Sequence, residues 1–343
     1  MIPERIKKLK AYRFPEFRKD RLNLNENPFP LPEVVLSEFK ERIDGDDIRL
    51  YHSPIDNTFI SALTEYTGFD GKNISLLNGA DEGIYFLISL FGKEGFNIVS
   101  FLPSYKCYKE FSLMLGANFI EIPLSRDFSI DMERTLNVVK DTRVLFFIPN
   151  PNNPTGNLFA RDKIVRILKE IRGFVVIDEA YFEFSKTTLA PLINKFNNLI
   201  ILRTFSKSFS LAGERIGYLI SNEDFVSHFN GFKNPYNFPY LSMVMGSVVL
   251  KHKDIFFERI QWIEAERERI FNELKKIPRL KVFPSKTNFL LFFVKDYKKL
   301  RDKLIEERIS ILDLGKGWFR LSIGRRELND KVLNVIKEVN LLK

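Results

Sequence analysis

The sequence of 343 residues has few side chains of the kinds that hold structural metals or cross membranes. Cys107 is its only cysteine, which excludes an intramolecular disulfide and a zinc–cysteine cluster. Its three histidines, His52, His228 and His252, are widely separated, which disfavours a histidine-based metal site. No apolar run is long enough to span a bilayer, and the first residues lack the apolar core of a signal peptide. We therefore expect a cytoplasmic protein without a metal or a membrane partner.

The chain also lacks a concentrated patch of one charge, although its formal net charge is +9. Lysine and arginine are interleaved with glutamate, as in residues 264–269, and no basic tail or aromatic–basic recognition motif is present. We interpret most of these charges as solvated helix faces and expect no nucleic-acid partner. What remains is a general attraction for phosphorylated ligands.

Apolar runs and helical patterns alternate between about residues 55 and 222. The seven runs cover residues 74–77, 97–102, 119–122, 144–148, 174–177, 199–202 and 216–220. Near-continuous apolar strands separated by helices are typical of a mostly parallel sheet covered on both faces. The link between the last two runs is too short for a full helix, so we expect that pair to be antiparallel.

The chain divides into three parts. Residues 1–30 are rich in proline and asparagine and predict an irregular arm. Residues 31–235 predict the large α/β domain, in which one helix is expected at 182–196. Residues 236–343 begin with a long helical region, about 242–276, and continue without strict strand–helix alternation, which predicts a smaller α+β domain.

Polar residues follow several predicted strands, at the carboxyl ends where open α/β sheets bind ligands. Ala80 and Asp81 begin a helix after run 74–77, and the unpaired N–H groups of a helix start suit a phosphate. A simple helix cap at Asp81 is the alternative. Asn153 lies in a proline-rich loop, which we expect to be rigid and extended so that the amide is held at a fixed place.

Asp178 ends the strand 174–177, and Tyr181 follows three residues later. A partly buried carboxylate needs a cationic partner or several hydrogen bonds. The protonated nitrogen of a pyridine ring is such a partner, and Tyr181 could donate to the oxygen of the same ring. The alternatives for Asp178 and Glu179 are metal binding, which lacks further ligands nearby, and a helix cap.

Lys207 stands between two serines where the chain leaves the strand 199–202. A lysine in this place can form a Schiff base with an aldehyde cofactor. Ser206 and Arg215 could hold a phosphate of that cofactor. Because Arg215 and the ring nitrogen are positive, we expect the pKa of Lys207 to be lowered, so that its amine can act as a base. Without the other loops, Lys207 would be a surface lysine.

Three residues are candidates on weaker grounds. Tyr105 follows the strand 97–102 and could stack on a planar ring. Arg320 is a charge inside an apolar strand, so either a substrate anion or an internal acid should pair with it. Tyr51 could contribute a hydroxyl.

Taken together, these motifs resemble the fold-type I pyridoxal-phosphate aminotransferases of class I and II over almost the whole chain. Within that family the chain is most similar to the histidinol-phosphate aminotransferases. Five strings carry the resemblance: Leu24-Asn-Glu-Asn-Pro28, Asn78-Gly-Ala-Asp-Glu82, Pro149-Asn-Pro-Asn-Asn-Pro-Thr-Gly156, Asp178-Glu-Ala-Tyr181 and Thr204-Phe-Ser-Lys-Ser-Phe-Ser-Leu-Ala-Gly213. The resemblance implies a seven-stranded, mostly parallel sheet between helices with a smaller α+β domain, a homodimer, and pyridoxal 5′-phosphate as the cofactor.

The resemblance also implies a role for each candidate residue. Lys207 carries the cofactor and moves the proton during catalysis. Cofactor contacts are implied for Ala80, Asp81, Tyr105, Asn153, Asp178, Tyr181, Ser206 and Arg215, and for Tyr51 reaching across from a second subunit. Substrate contacts are implied for Arg320, Tyr12 and Asn27.

One departure from the family concerns the substrate. The family often has a second arginine shortly before Arg320, where this chain has Leu312, and Lys316 is the candidate substitute. The implied reaction is amino transfer between L-histidinol phosphate and 2-oxoglutarate. The alternatives on the same scaffold are an aromatic or acidic amino-acid aminotransferase and a threonine-phosphate decarboxylase. A binding or regulatory protein that kept the fold is the alternative from another class.

Overall fold

The structure is a computed structural model that describes residues 7, 20–53 and 57–341. Its strands are β1 Asp20–Leu22, β2 Ile74–Asn78, β3 Asn97–Leu102, β4 Phe119–Pro123, β5 Arg143–Pro149, β6 Arg172–Asp178, β7 Leu199–Thr204, β8 Ile216–Ile220, β9 Leu280–Val282, β10 Phe289–Val294, β11 Ile309–Gly315 and β12 Trp318–Ser322. Its helices are α1 Glu33–Arg42, α2 Gly45–Ile48, α3 Thr58–Thr67, α4 Ala80–Lys93, α5 Cys107–Leu115, α6 Met132–Val139, α7 Arg161–Glu170, α8 Phe182–Ser185, α9 Glu223–Phe232, α10 Tyr240–Lys251, α11 Lys253–Lys275, α12 Tyr297–Glu306 and α13 Arg326–Leu341. None of the helices in these described ranges has both the length and the apolar character needed to cross a membrane.

Seven strands form the larger sheet, in the order β2-β8-β7-β6-β5-β3-β4. Strand β8 runs antiparallel to both of its neighbours, and every other neighbouring pair is parallel. Strands β7 and β8 are buried along their whole length, as expected for strands covered on both faces. The predicted mostly parallel sheet and its antiparallel pair are therefore confirmed.

Alternate side chains of the larger sheet enter two separate cores. Phe146 and Ile201 belong to the core on one face, which also contains side chains from α3, α7 and α10. Leu145 and Ile200 belong to the core on the other face, with side chains from α4 and α9. The alternation follows from the two-residue period of a strand. It leaves the carboxyl ends of the parallel strands as the edge where loops can form a site.

Five strands form the smaller sheet, in the order β1-β11-β12-β10-β9. Strand β1, from the arm, pairs in parallel with β11, so that Asp20 lies opposite Ile309. Phe319 and Leu321 of β12 enter the core of this sheet. By the alternation of the strand, Arg320 points to the other face.

The predicted division at residue 236 stays a prediction, but the packing bears on where the large domain ends. Met243 and Val248 of α10 belong to a core of the larger sheet, as does Phe256 near the start of α11. Ile260 and Ile263, further along α11, belong to the core of the smaller sheet. We therefore infer that the change from one core to the other lies between Phe256 and Ile260.

Three local predictions were wrong. The helix predicted at 182–196 is replaced by α8 and a 3-10 turn at Ala190–Asn194. Lys186 ends α8 with a left-handed φ of 53°, and the N–H of Leu189 donates to Glu179 instead of continuing a helix. The helical region 242–276 is interrupted at His252. The loop 149–156 turns back instead of running extended, since the N–H of Gly156 donates to the carbonyl of Asn152 at 2.8 Å.

Candidate functional site

Lys207 lies in the loop between β7 and β8, and its side chain is half-buried. Its Nζ donates to the carbonyl oxygen of Leu24 at 2.9 Å. Burial lowers the pKa of Lys207 to about 8, and the positive charge of Arg320 acts in the same direction more strongly than that of Arg215. A lysine with this pKa has a neutral fraction roughly 300-fold larger at pH 7 than an exposed lysine. The amine is therefore prepared to act as a nucleophile or a base.

Asp178 ends β6 and is only 6% exposed. Its carboxylate accepts hydrogen bonds from the hydroxyl of Tyr108 at 2.6 Å and from the N–H of Ala180 at 3.1 Å. Burial raises the pKa of Asp178 to about 6, although these two hydrogen bonds act against the shift. Both donors are uncharged, so a cation at this carboxylate would compensate for the cost of its burial.

Tyr108 belongs to the candidate site, and the sequence analysis missed it. Its ring stacks on Phe147 with centroids 4.8 Å apart and meets the ring of Tyr105 edge-on at 5.5 Å. The residue therefore supports Asp178 through its hydroxyl and Tyr105 through its ring. The available signal was the spacing of three residues between the two tyrosines: Tyr108 lies in the first turn of α5, and its N–H donates at 3.4 Å to the carbonyl of Tyr105, which precedes the helix.

The N-terminus of α4 has no side-chain cap. Its N-cap residue is Gly79. The guanidinium of Arg215 lies beside it, with Nη2 3.3 Å from Oδ2 of Asp81. A Cβ on Gly79 would stand 2.5 Å from Nη2 of Arg215, and the positive φ of 80° is a backbone conformation that favours glycine here. A free helix start next to an arginine fork is a combination that binds phosphate.

Two more residues belong to this part of the site. Tyr105 donates to Oδ1 of Asp81 at 3.0 Å, and Ser206 accepts from the hydroxyl of Thr204 at 2.9 Å. Gly217 allows β8 to approach closely, because a Cβ there would lie 2.6 Å from the backbone nitrogen of Ala80. The fold thus brings the strand that follows Arg215 against the helix start.

Arg320 is buried, with 6% of its surface exposed. Its Nη1 donates to Oδ1 of Asn153 at 2.6 Å, and its Nη2 donates to the carbonyl of Asn23 at 2.6 Å. Its Nε is buried and unpaired, and within the described ranges no acid forms an ion pair with it. Burial lowers the pKa of Arg320. Of the two alternatives posed by the sequence, the internal ion pair is therefore not observed, and the guanidinium retains its affinity for an anion.

The arm contributes to the same region. The hydroxyl of Tyr181 accepts from Nδ2 of Asn25 at 2.8 Å, and burial raises the pKa of Tyr181. Nδ2 of Asn27 contacts the carbonyl oxygens of Lys207 and Ser208 at 3.2 and 2.9 Å. Asn25 was not among the predicted residues, because no local pattern indicates that the arm packs against β12.

Two predicted residues, Tyr51 and Lys316, are not brought to this cluster, and a third, Tyr12, is not among the described residues. Tyr51 is 83% exposed, and its ring lies against Tyr236 with centroids 4.6 Å apart. Lys316 is exposed in the turn between β11 and β12, whereas Leu312 pairs directly with Arg320. The residue directly opposite Arg320 is therefore apolar and not a second cation.

The residues that do come together fit a phosphorylated pyridine aldehyde. The uncapped helix start and Arg215 suit its phosphate, and the carboxylate of Asp178, buried among neutral donors, suits a protonated ring nitrogen. Tyr181 stands at the same edge of the sheet, and the amine of Lys207 has the lowered pKa that bonding to an aldehyde requires. The unpaired Nε of Arg320 remains for a second anion.

Comparison with known proteins gives a consistent result. The sequence model of the family "Aminotransferase class I and II" matches residues 19–336. A histidinol-phosphate aminotransferase of Thermotoga neapolitana is 39% identical over 335 residues, with 96% of each chain covered. The crystal structure of the histidinol-phosphate aminotransferase from Clostridium acetobutylicum aligns with a TM-score of 0.85 at 28% identity, covering 94% of this chain and 99% of that one.

A second solved structure has the same fold. It is the histidinol-phosphate aminotransferase of Sinorhizobium meliloti in complex with pyridoxal-5′-phosphate, with a TM-score of 0.87 at 24% identity, and 99% of this chain and 97% of that one are covered. The family resemblance inferred from the sequence motifs is confirmed. On the match of the family model and the similarity over nearly the full length, the chain belongs to the class I and II aminotransferases.

Proposed function

We propose that the enzyme transfers the amino group of L-histidinol phosphate to 2-oxoglutarate, giving imidazole-acetol phosphate and L-glutamate, with pyridoxal 5′-phosphate as its cofactor. One observation carries the proposal: the pKa of Lys207 is lowered to about 8, and two cations that act on its amine are Arg320 and Arg215, the latter at an uncapped helix start. Arg215 suits the cofactor phosphate and Arg320 suits a substrate anion. The names of the relatives support this choice of substrate.

The bound cofactor would supply an aldehyde that takes up amines and a ring that withdraws electrons from the reacting carbon. Lys207 then performs the proton transfer, since its Nζ is neutral often enough near pH 8 to accept a proton and to return it. When Lys207 is not bonded elsewhere, the carbonyl of Leu24 holds its amine in place. Asp178, while it is ionised, would keep the nitrogen of the bound ring protonated.

Two further groups of residues orient the reactants. Tyr105 provides an aromatic face on which the cofactor ring can stack. Tyr181 and Asn153 provide the polar side chains that would form hydrogen bonds with the oxygen on that ring. Arg320 takes the carboxylate of the 2-oxo acid in one half-reaction and the phosphate of histidinol phosphate in the other. A single arginine suffices for both, because the two substrates bind in turn.

The active enzyme in this proposal is a homodimer in which Tyr51 of one subunit reaches the cofactor phosphate of the other. The exposure of Tyr51 and of its neighbours Tyr236, Leu50 and Ile48, at 50% or more, supports an apolar contact surface there. The proposal includes a cytoplasmic location, where charged metabolites of this kind are dissolved.

The test of function uses the parent, Lys207→Ala and the control Lys140→Ala, which alters an exposed lysine on the protein surface. Each protein is loaded with cofactor, treated with borohydride and analysed by mass spectrometry for the trapped adduct. We expect the adduct in the parent and the control, at Lys207, and none in Lys207→Ala. Amino transfer by Lys207→Ala at the parent's rate would refute the assignment.

The substrate is tested by single half-reactions of the loaded parent enzyme. Histidinol phosphate, phenylalanine, aspartate and threonine phosphate are each added alone, and conversion of the cofactor to its amine form is followed. We expect the fastest conversion with histidinol phosphate. Faster conversion with phenylalanine or aspartate would indicate an amino-acid aminotransferase, and carbon dioxide release from threonine phosphate would indicate a decarboxylase.

A further inference from the structure

Asn27 belongs to the arm, yet its side chain forms hydrogen bonds with the backbone of the loop that carries Lys207. Nδ2 lies 3.2 Å from the carbonyl oxygen of Lys207 and 2.9 Å from that of Ser208. Its Oδ1 accepts from the N–H of Phe29 at 3.0 Å. The orientation of the amide is unambiguous, because carbonyl oxygens require the NH2 group and a backbone N–H requires the oxygen.

These contacts use the donors of Asn27. A primary amide has two N–H hydrogens, and the two carbonyl oxygens are positioned to accept both. A substrate that needed a donor from Asn27 would have to break one of these bonds and leave a carbonyl of the lysine loop without it. The geometry is therefore that of a clamp on the loop and not that of a ligand for substrate.

The same arm segment also holds the other end of the lysine. The carbonyl of Leu24 accepts from Nζ of Lys207, so the segment contacts both the backbone and the amine of that residue. The segment is itself anchored through Asn25, whose side chain bonds Tyr181 and Ser322, and whose carbonyl accepts from Asn288 at 3.0 Å. A displacement of Asn27 would thus change the position of Lys207 relative to the small sheet.

We propose that Asn27 is a positioning residue that fixes the backbone of Lys207 so that the amine reaches the reacting carbon. The inference rests on the proposed role of Lys207. It assigns Asn27 to the proton-transfer step, where a misplacement of about 1 Å can cost as much as a hundredfold in rate. The binding of either substrate does not depend on it, since both are held through Arg320 and the cofactor.

The test compares three variants with the parent. Asn27→Ala removes the clamp, and the nearly isosteric Asn27→Asp keeps the packing but turns a carboxylate oxygen toward two carbonyl oxygens. Asn118→Ala is the control, because the side-chain amide of Asn118 donates one hydrogen bond to that of Asn97 at an exposed position. We expect kcat to fall about tenfold or more in both Asn27 variants, further in Asp than in Ala, with KM for each substrate within about twofold of the parent.

A second measurement uses the cofactor-free proteins. Reductive methylation of Lys207 is followed against pH by mass spectrometry, which reports the neutral fraction of its amine. We expect the midpoint near pH 8 in the parent and in Asn118→Ala, and a higher midpoint in Asn27→Ala, where a loosened loop gives the amine more water. If the alanine variant does not fold, Asn27→Asp still tests the clamp through kcat and KM, whereas its methylation midpoint is not compared, because the new carboxylate by itself raises the pKa of a nearby lysine.

The outcomes separate the two proposals. If KM rises tenfold or more while kcat is kept, Asn27 is a substrate ligand and the positioning role is refuted. If kcat and the methylation midpoint both stay at the parent's values, the clamp has no influence on Lys207 and the inference is also refuted. If the parent itself transfers no amino group, the proposed function fails, and the methylation midpoints still decide the role of Asn27.

Discussion

Replacing Lys207 by methionine should make the cofactor-free protein more stable at neutral pH. The methionine side chain has a similar length and no charge, so the packing around it is largely kept. The lysine is half-buried as a cation, and its pKa falls from 10.5 to about 8. A difference of this size corresponds to about 3 kcal/mol of destabilisation by the charged form.

The net gain is smaller, because the variant also loses a hydrogen bond. The bond from Nζ to the carbonyl of Leu24 contributes about 1 kcal/mol, which leaves about 2 kcal/mol in favour of Lys207→Met. With an unfolding entropy of about 2.1 cal/mol/K per residue, a chain of 343 residues should then melt about 3 °C higher.

The pH dependence gives the sharper test. The folded protein binds the proton of Lys207 less tightly than the unfolded chain does, so the penalty is fully present below pH 8. It is relieved as the pH rises from 8 towards 10.5, where the lysine is neutral in both states. The advantage of Lys207→Met should therefore be largest at pH 7 and shrink by pH 9.5.

Urea unfolding of the cofactor-free proteins at both pH values measures the difference in the free energy of unfolding. The exposed Lys140, changed to methionine, is the control and should show no such pH-dependent difference. A Lys207→Met variant that is less stable than the parent at pH 7, or whose advantage is the same at pH 9.5, would contradict the reasoning.

Two other changes test the supports of the cofactor. Tyr108→Phe removes the 2.6 Å hydrogen bond to Asp178, so the pKa of that carboxyl should rise by about one unit further above 6. In a titration of cofactor absorbance against pH, the transition on the acid side should shift to higher pH. An unchanged transition would show that the tyrosine is not coupled to Asp178. Gly79→Ala adds a methyl group 2.5 Å from Nη2 of Arg215 at a left-handed φ of 80°, so cofactor affinity should fall at least about tenfold. Gly231→Ala, with open space around its Cβ and no positive φ, should retain the affinity in the same equilibrium titration.

The strand boundaries of the larger sheet could be predicted from the sequence where neighbouring residues alone determine them. The runs at 97–102 and 216–220 became β3 and β8 without a change of boundary, because each is a short, mostly apolar stretch with a local signal at its end, Pro103 after the first and Arg215 before the second. The short link before 216–220 also indicated the antiparallel direction. The helix predicted at 182–196 failed because Glu179, outside that stretch, captures the N–H of Leu189 and the hydroxyl of Thr188. A partner of this kind has no periodic signature.

The same distinction holds for the site. Lys207, Asp178 and Arg215 are recognisable in the sequence as candidates, because each follows or leads a strand end at the ligand-binding edge, and their roles stay predictions. The contacts of the arm could not, since Asn25 meets Ser322 only after the small sheet has formed. The cause of the lowered pKa of Lys207 was also misjudged: burial dominates, and Arg320, not Arg215, is the larger cationic influence. Burial is a property of the folded molecule, which the order of residues does not display.

The joining of the arm to the last strands has a consequence for how the enzyme is made. The N–H of Asn25 donates to Ser322 across 297 residues of sequence. At about 10 residues per second, a ribosome needs about 30 s to produce the second partner after the first. During that time the arm segment that contains Leu24 and Asn27 lacks the hydrogen bond to Ser322 that anchors it beside Lys207. We therefore expect a nascent chain to form the contacts of Leu24 and Asn27 with Lys207 only when translation is nearly complete.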